Sequence, residues 1–205
     1  MKNIFLFFSI FFISKNIQAQ NNQLHYGIKT GLDIGKIAIV PPSQNRTEHY
    51  GAGIVVGGII QIPIHKKMKV QIEPLYNLHH SSLKFNPSSG TNRIDLSLHQ
   101  VSLPIQFCYF ISHNLSVNTG GSVNYNFHLD QKATFDIGDR TFNITDEIIK
   151  FQPGLLGGIT FYATNNIYID VRYNQMLTNL YKITRTDDPT EYHLGFFQIS
   201  WGYKF

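Results

Sequence analysis

Five charged residues stand in the middle of otherwise neutral, alternating segments: Lys29, Asp33, Glu73, Asp170 and Arg172. If these side chains share one enclosed space they must pair, because a buried charge without a partner costs several kcal/mol. The expected arrangement joins Arg172 to Glu73, with Asp170 sharing the guanidinium and Lys29 and Asp33 extending the network. Such a network chiefly braces a structure; a gate or an ion path is the functional alternative. Nine histidines invite a metal reading, but His79 and His80 are adjacent, and on a strand adjacent side chains point to opposite faces. No HExxH spacing occurs, so no metal site and no cofactor is expected.

Hydrolytic chemistry needs a nucleophile, a base and an orienting group brought together. The chain has no GxSxG, and no Ser, His and acid fall together at one strand end by parity. Cys108 is the only cysteine, which excludes an internal disulfide and a CxxC zinc site. Its parity places it inward, with no activating His beside it. The pairs Gly57-Gly58 and Gly157-Gly158 are followed by neither Lys-Ser/Thr nor a helix, so they are not phosphate loops. They relieve crowding or let a strand bend. A non-enzymatic protein is expected.

The elements that position these residues read with period two. Eight segments of ten to fifteen residues follow one another: 24–35, 51–64, 69–84, 96–110, 115–129, 149–162, 167–181 and 193–205. In the first, Leu24, Tyr26, Ile28, Leu32 and Ile34 oppose His25, Gly27, Lys29, Gly31 and Asp33. The fifth sets Val117, Val123, Tyr125, Phe127 and Leu129 against Ser116, Asn118, Ser122, Asn124, Asn126 and His128. The fourth changes parity near His99-Gln100, the mark of a bulge. Connections alternate between tight turns (65–68, 112–114, 163–166) and long polar stretches (36–50, 85–95, 130–148, 182–192). No helix is expected. The pattern is that of an all-β protein, an up-and-down antiparallel meander of eight strands.

Alternation leaves open which face is inside. A strand face in water is normally rich in Lys and Glu; here the polar face is mostly Gly, Ser, Asn and Gln, and charged residues are 15% of the chain against about 25% in a soluble domain. Small neutral polar side chains suit the crowded interior of an eight-stranded barrel. The aliphatic face then meets lipid. Aromatics gather at both strand ends, Tyr26, Tyr109, Phe161, Tyr168, Tyr203 and Phe205 near the tight turns and Tyr76, Tyr125, Phe127 and Tyr181 near the loops, which is the arrangement of two interfacial girdles. Hence the fold expected is an eight-stranded antiparallel up-and-down transmembrane β-barrel.

The N-terminus agrees. Lys2 precedes the apolar run Ile4 to Ile13, too short to span a bilayer, and the small residue Ala19 follows. Residues 1–19 are expected to be a signal peptide and 20–205 the barrel domain, placing the protein in the cell outer membrane. The formal charge of +4 is scattered, with no cluster beyond Lys66-Lys67, so no nucleic-acid partner is expected.

The segments Tyr26 to Gly35 (YGIKTGLDIG), Val70 to Asn77 (VQIEPLYN), Val101 to Phe110 (VSLPIQFCYF), Asp170 to Tyr181 and Phe196 to Phe205 (FFQISWGYKF) resemble the PorT-type, porin-family outer-membrane β-barrel proteins of Bacteroidota. The resemblance implies a structural, binding or secretion and assembly-accessory role through the extracellular loops, with a secretion or surface protein as partner. It also implies that Trp201, Tyr203 and Phe205, at period two on the last strand, form the C-terminal signal read by the barrel-assembly machinery. Outer-membrane lipid is the remaining partner. The alternatives are a narrow channel for small solutes and, behind it, a lipid-modifying enzyme.

Overall fold

The computed structural model describes residues 24–40, 46–85, 92–135, 138–181 and 191–205. The expected leader, 1–19, lies outside the described residues, as do parts of the long connections. The strands are β1 (His25–Val40), β2 (Arg46–His65), β3 (Met68–Ile72), β4 (Leu75–Phe85), β5 (Asn92–Ser112), β6 (Leu115–Phe135), β7 (Gly138–Asn143), β8 (Phe151–Tyr162), β9 (Ile167–Met176) and β10 (Glu191–Lys204). All pairings are antiparallel, and β1 closes on β10. β3 and β4 form one stave, since both lie between β2 and β5. With β7 as a short addition to β6, the result is a closed ring of eight staves.

Proline sets the break between β3 and β4. Pro74 has no N–H to give the ladder. The neighbouring groups carry the pairing across the gap, with Glu73 N donating to Pro104 O at 3.0 Å and Gly58 N to Pro74 O at 3.0 Å. Inward parity therefore survives, and Gln71, Glu73, Leu75 and Asn77 all point into the lumen.

Side-chain alternation sorts the residues as the polar face demanded. Ile28, Val123 and Leu155 are 57%, 58% and 55% exposed on the outer wall, while Lys29, Asn124 and Arg172 are 1%, 1% and 2% exposed inside. On β8, Phe151 and Phe161 mark the two aromatic levels of the wall. Ten residues at about 3.3 Å, tilted by about 40°, rise about 25 Å, the height of a membrane barrel's apolar band. The aromatic pairs Tyr125–Phe151 and Tyr173–Phe197, with centroids 4.9 and 4.8 Å apart, belong to the level nearer the long connections.

Three expectations need correction. The register does shift at His99/Gln100, but β5 keeps its parity and the extra residue sits in β6, where pairing jumps from Asn126 to His128. Above that bulge β6 turns Leu129 inward, fully buried, and swings His128 outward to partial exposure. Tyr168 is not a girdle residue. It shares parity with Asp170 and Arg172, is 1% exposed, and its ring lies over Gly202, where a Cβ would fall on it. Tyr181 likewise packs against the interior and meets Tyr192 edge-on at 4.9 Å. Finally, the long connections are partly strand. The ladder continues to Val40, Phe85 and Phe135, making β5 and β6 21 residues long. At about 3.3 Å per residue and about 40° of tilt they rise about 50 Å, twice the apolar band.

The interior is layered. Nearest the tight turns, Tyr162, Tyr168 and Ile59 pack with Phe110, the Phe110 and Tyr162 rings stacked at 5.3 Å. A charged belt follows, then a layer of amides in which Gln100 donates to Asn126 and Asn126 to Gln152, at 2.8 and 2.7 Å. Toward the long connections the lumen becomes apolar, with Ile37, Leu83, Leu96, Leu98, Leu129, Met176 and Phe196. Ile148 and Leu180, from the connections themselves, complete this plug. They are tied across the mouth by Ile149 N donating to Leu180 O (2.8 Å) and Leu180 N to Tyr192 O (2.8 Å).

Candidate functional site

The charged belt is built from three staves. Lys29 comes from β1, Glu73 from the β3–β4 junction, and Asp170 and Arg172 from β9, two apart and so on one face. Lys29 Nζ lies 2.7 Å from Asp170 Oδ1 and 3.1 Å from Glu73 Oε1. Arg172 Nη1 donates to Glu73 Oε2 at 2.8 Å, and its Nε is 3.8 Å from Asp170 Oδ1. All four side chains are at most 1% exposed. Two cations and two anions thus cancel inside a space that excludes water.

Neutral donors complete the shell. Glu73 Oε1 accepts from Gln106 Nε2 (2.7 Å) and from Gln71, which in turn accepts from Gln61. Asp170 Oδ2 accepts from Thr160 (2.9 Å) and Asn118 (3.4 Å), and Oδ1 from Ser200 (3.4 Å). Arg172 Nε and Nη2 both reach Gln198 Oε1, at 3.2 and 3.1 Å. Satisfied on this many sides, the belt is a rigid cross-brace between staves far apart in sequence. Asp33 stands apart from the four: its Oδ2 is 3.0 Å from His79 Nδ1, one layer nearer the apolar plug.

Trp201 and Tyr203 lie on the outer wall of β10 and Phe205 follows its end, 48%, 44% and 66% exposed. Cys108 is buried. Among the described residues no cluster of three His, Cys, Asp or Glu could hold a metal.

Some features were not legible from parity alone. His80 and Ser97 face each other across β4 and β5, with Nδ1 3.0 Å from the hydroxyl. Among the described residues no carboxylate engages the other His80 nitrogen, so the base lacks an orienting group. His128 Nε2 sits 3.0 Å from Asp130, and its Nδ1 is 3.5 Å from the Thr145 hydroxyl, a long contact. At the long-loop end, burial pushes the Tyr181 phenol up, with Tyr192 and Glu147 adding to the shift. The apolar plug is not legible either: a parity change at His99-Gln100 would turn Leu96 and Leu98 outward, whereas β5 keeps its parity and buries both.

Residues 18–182 match the family described as outer membrane protein beta-barrel domain. The chain belongs to that family. An outer-membrane β-barrel protein with this layout places its aliphatic wall against lipid and its charged belt at membrane depth, which is why the belt must be neutral as a whole. No curated protein matches the sequence. Among solved structures, Ail, the attachment invasion locus protein of Yersinia pestis, crystallised with the heparin analogue sucrose octasulfate, is similar over 89% of this chain and 99% of its own, with a TM-score of 0.50 and 14% identity. Neisserial surface protein A follows with 12% identity, 88% and 97% coverage and a TM-score of 0.49. OprG from Pseudomonas aeruginosa gives 12%, 90%, 97% and 0.47. At these identities the likeness to Ail is one of fold.

Proposed function

We propose that this outer-membrane barrel is a non-enzymatic, PorT-like protein that acts at its long-loop end, as a binding platform or as an accessory of protein secretion or surface assembly. The observation that carries the reading is the filled lumen. An aromatic layer at one end and an apolar plug at the other enclose the saturated charged belt. A barrel of this girth has interior room only for side chains, so work falls to the ends and the outer wall. The long-loop end offers the material, since β5, β6 and β7 extend well past the apolar band.

In this reading the tight turns and both termini face the periplasm and the extended strands face outward. Residues 1–19 direct export, and Trp201, Tyr203 and Phe205 present the last strand to the barrel-assembly machinery. The unoriented His80–Ser97 pair supports the non-enzymatic part. The test is crosslinking on intact outer membranes followed by affinity capture of the barrel. A defined protein partner, crosslinked within residues 81–98 or 128–148, is the expected result. Capture of lipid alone, together with discrete conductance steps in planar bilayers, would replace this reading with the narrow channel.

A further inference from the structure

The tight-turn mouth holds a second group of titratable side chains that the belt does not use. Lys69 in β3, Lys204 at the end of β10 and His25 at the start of β1 line one cavity of about 800 Å³. Lys204 is drawn inward and only 7% exposed. Its Nζ lies 4.4 Å from the Tyr162 ring centroid and 5.9 Å from that of Tyr168. Lys69 Nζ lies 4.8 Å from the Phe110 centroid. The aromatic layer that seals the lumen is thus the floor of this cavity, and cations stand on it.

No acidic side chain lines this cavity. His113 and Phe205 line it as well. Glu73 and Asp170 lie beyond the aromatic floor, each already bound to Lys29. No acidic side chain among the described residues pairs with the three. Ring faces attract a cation but accept few hydrogen bonds, and an ammonium has three donors to satisfy. A desolvated cation without a counter-ion is destabilising, so the mouth is poised for one.

The rim is preformed. Asn166 Nδ2 donates to Lys204 O at 2.7 Å, and Thr164 Oγ1 accepts from the N–H groups of Asn166 and Ile167 at 3.2 and 3.0 Å. This fixes the 163–166 turn beside the cavity, which is of the size that takes small ligands. Because the cations point into the barrel mouth rather than along the outer wall, their ligand arrives from the aqueous side.

We infer that the tight-turn mouth binds an oxyanion, a phosphate or carboxylate group on a small water-borne ligand, with Lys204 and Lys69 as its charge partners. Two ammonium groups act as point charges without the fork geometry of arginine, so multivalent anions are preferred over a fixed planar shape.

The test titrates the refolded barrel in non-ionic detergent, at about 0.15 M salt to screen loose surface attraction, with tripolyphosphate and separately with citrate, followed by calorimetry. Saturable one-to-one binding of at least one probe is expected, and the stronger arm identifies phosphate or carboxylate as the ligand group. Lys204→Gln and Lys69→Gln each weaken it about tenfold or more, and Lys204→Arg retains it. Lys66→Gln/Lys67→Gln, which removes two exposed cations from the neighbouring turn, leaves it unchanged. Absence of saturable binding, or equal weakening by the turn variant, overturns the inference. Heat-modifiable gel mobility reports folding of each variant; should Lys204→Gln not fold, Lys69→Gln decides.

Discussion

Replacing Arg172 by Met tests whether the charged belt is a coupled unit. The substitution preserves bulk and removes one of two cations from a space that water does not reach. Glu73 Oε2 loses a donor at 2.8 Å and Gln198 Oε1 loses two. At an effective dielectric of about 20 the lost attraction is about 6 kcal/mol. Lys29, 3.1 Å from Glu73, then serves both carboxylates and recovers part of it. The net loss expected is about 3–5 kcal/mol, the range for breaking a buried pair from one side. Adding Glu73→Gln removes the stranded charge, so the double variant should be more stable than Arg172→Met alone by about 2 kcal/mol. Trp201 is the only tryptophan and lies on the outer wall, so its fluorescence during urea unfolding in lipid vesicles reads the transition. A loss under about 1 kcal/mol for Arg172→Met, or losses that simply add in the double variant, would refute the coupled belt.

Other perturbations probe the remaining layers. Leu129→Ala hollows the apolar plug and should cost about 2–5 kcal/mol of stability in the same unfolding assay. Gly202→Ala forces a methyl onto the Tyr168 ring; a loss of about 1–3 kcal/mol is expected, largely relieved by Tyr168→Ala in the same chain. Leu155→Arg, midway between Phe151 and Phe161 on the outer wall, should cost about 2–4 kcal/mol in bilayers. A neutral result there would contradict lipid contact at that wall.

The fold is legible in the sequence because strand alternation is local. Each side chain's face follows from its own neighbours, and the shortage of Lys and Glu on the polar face decided which side met water. The charged residues Lys29, Glu73, Asp170 and Arg172 could be assigned to one interior on parity alone. Their heights could not, because Arg172 and Glu73 are 99 residues apart and meet only through the stagger accumulated around the ring. Asp33 shows the limit: parity groups it with Lys29, yet it lies a layer away against His79.

Period two and turn chemistry, both local, therefore specify the number of staves, their order, and the inward or outward sense of most residues. Which residues meet depends on the assembled ring. The bulge in β6 reverses parity for everything above it, turning Leu129 inward and His128 out. The ring closure brings Lys204 of the last strand and His25 of the first to Lys69 of the third. Ile148, from a stretch that reads as a polar loop, and Leu180, from beyond the end of β9, seal the lumen. Register, bulges and closure are set by hydrogen bonds between distant strands, and no window of sequence contains both partners.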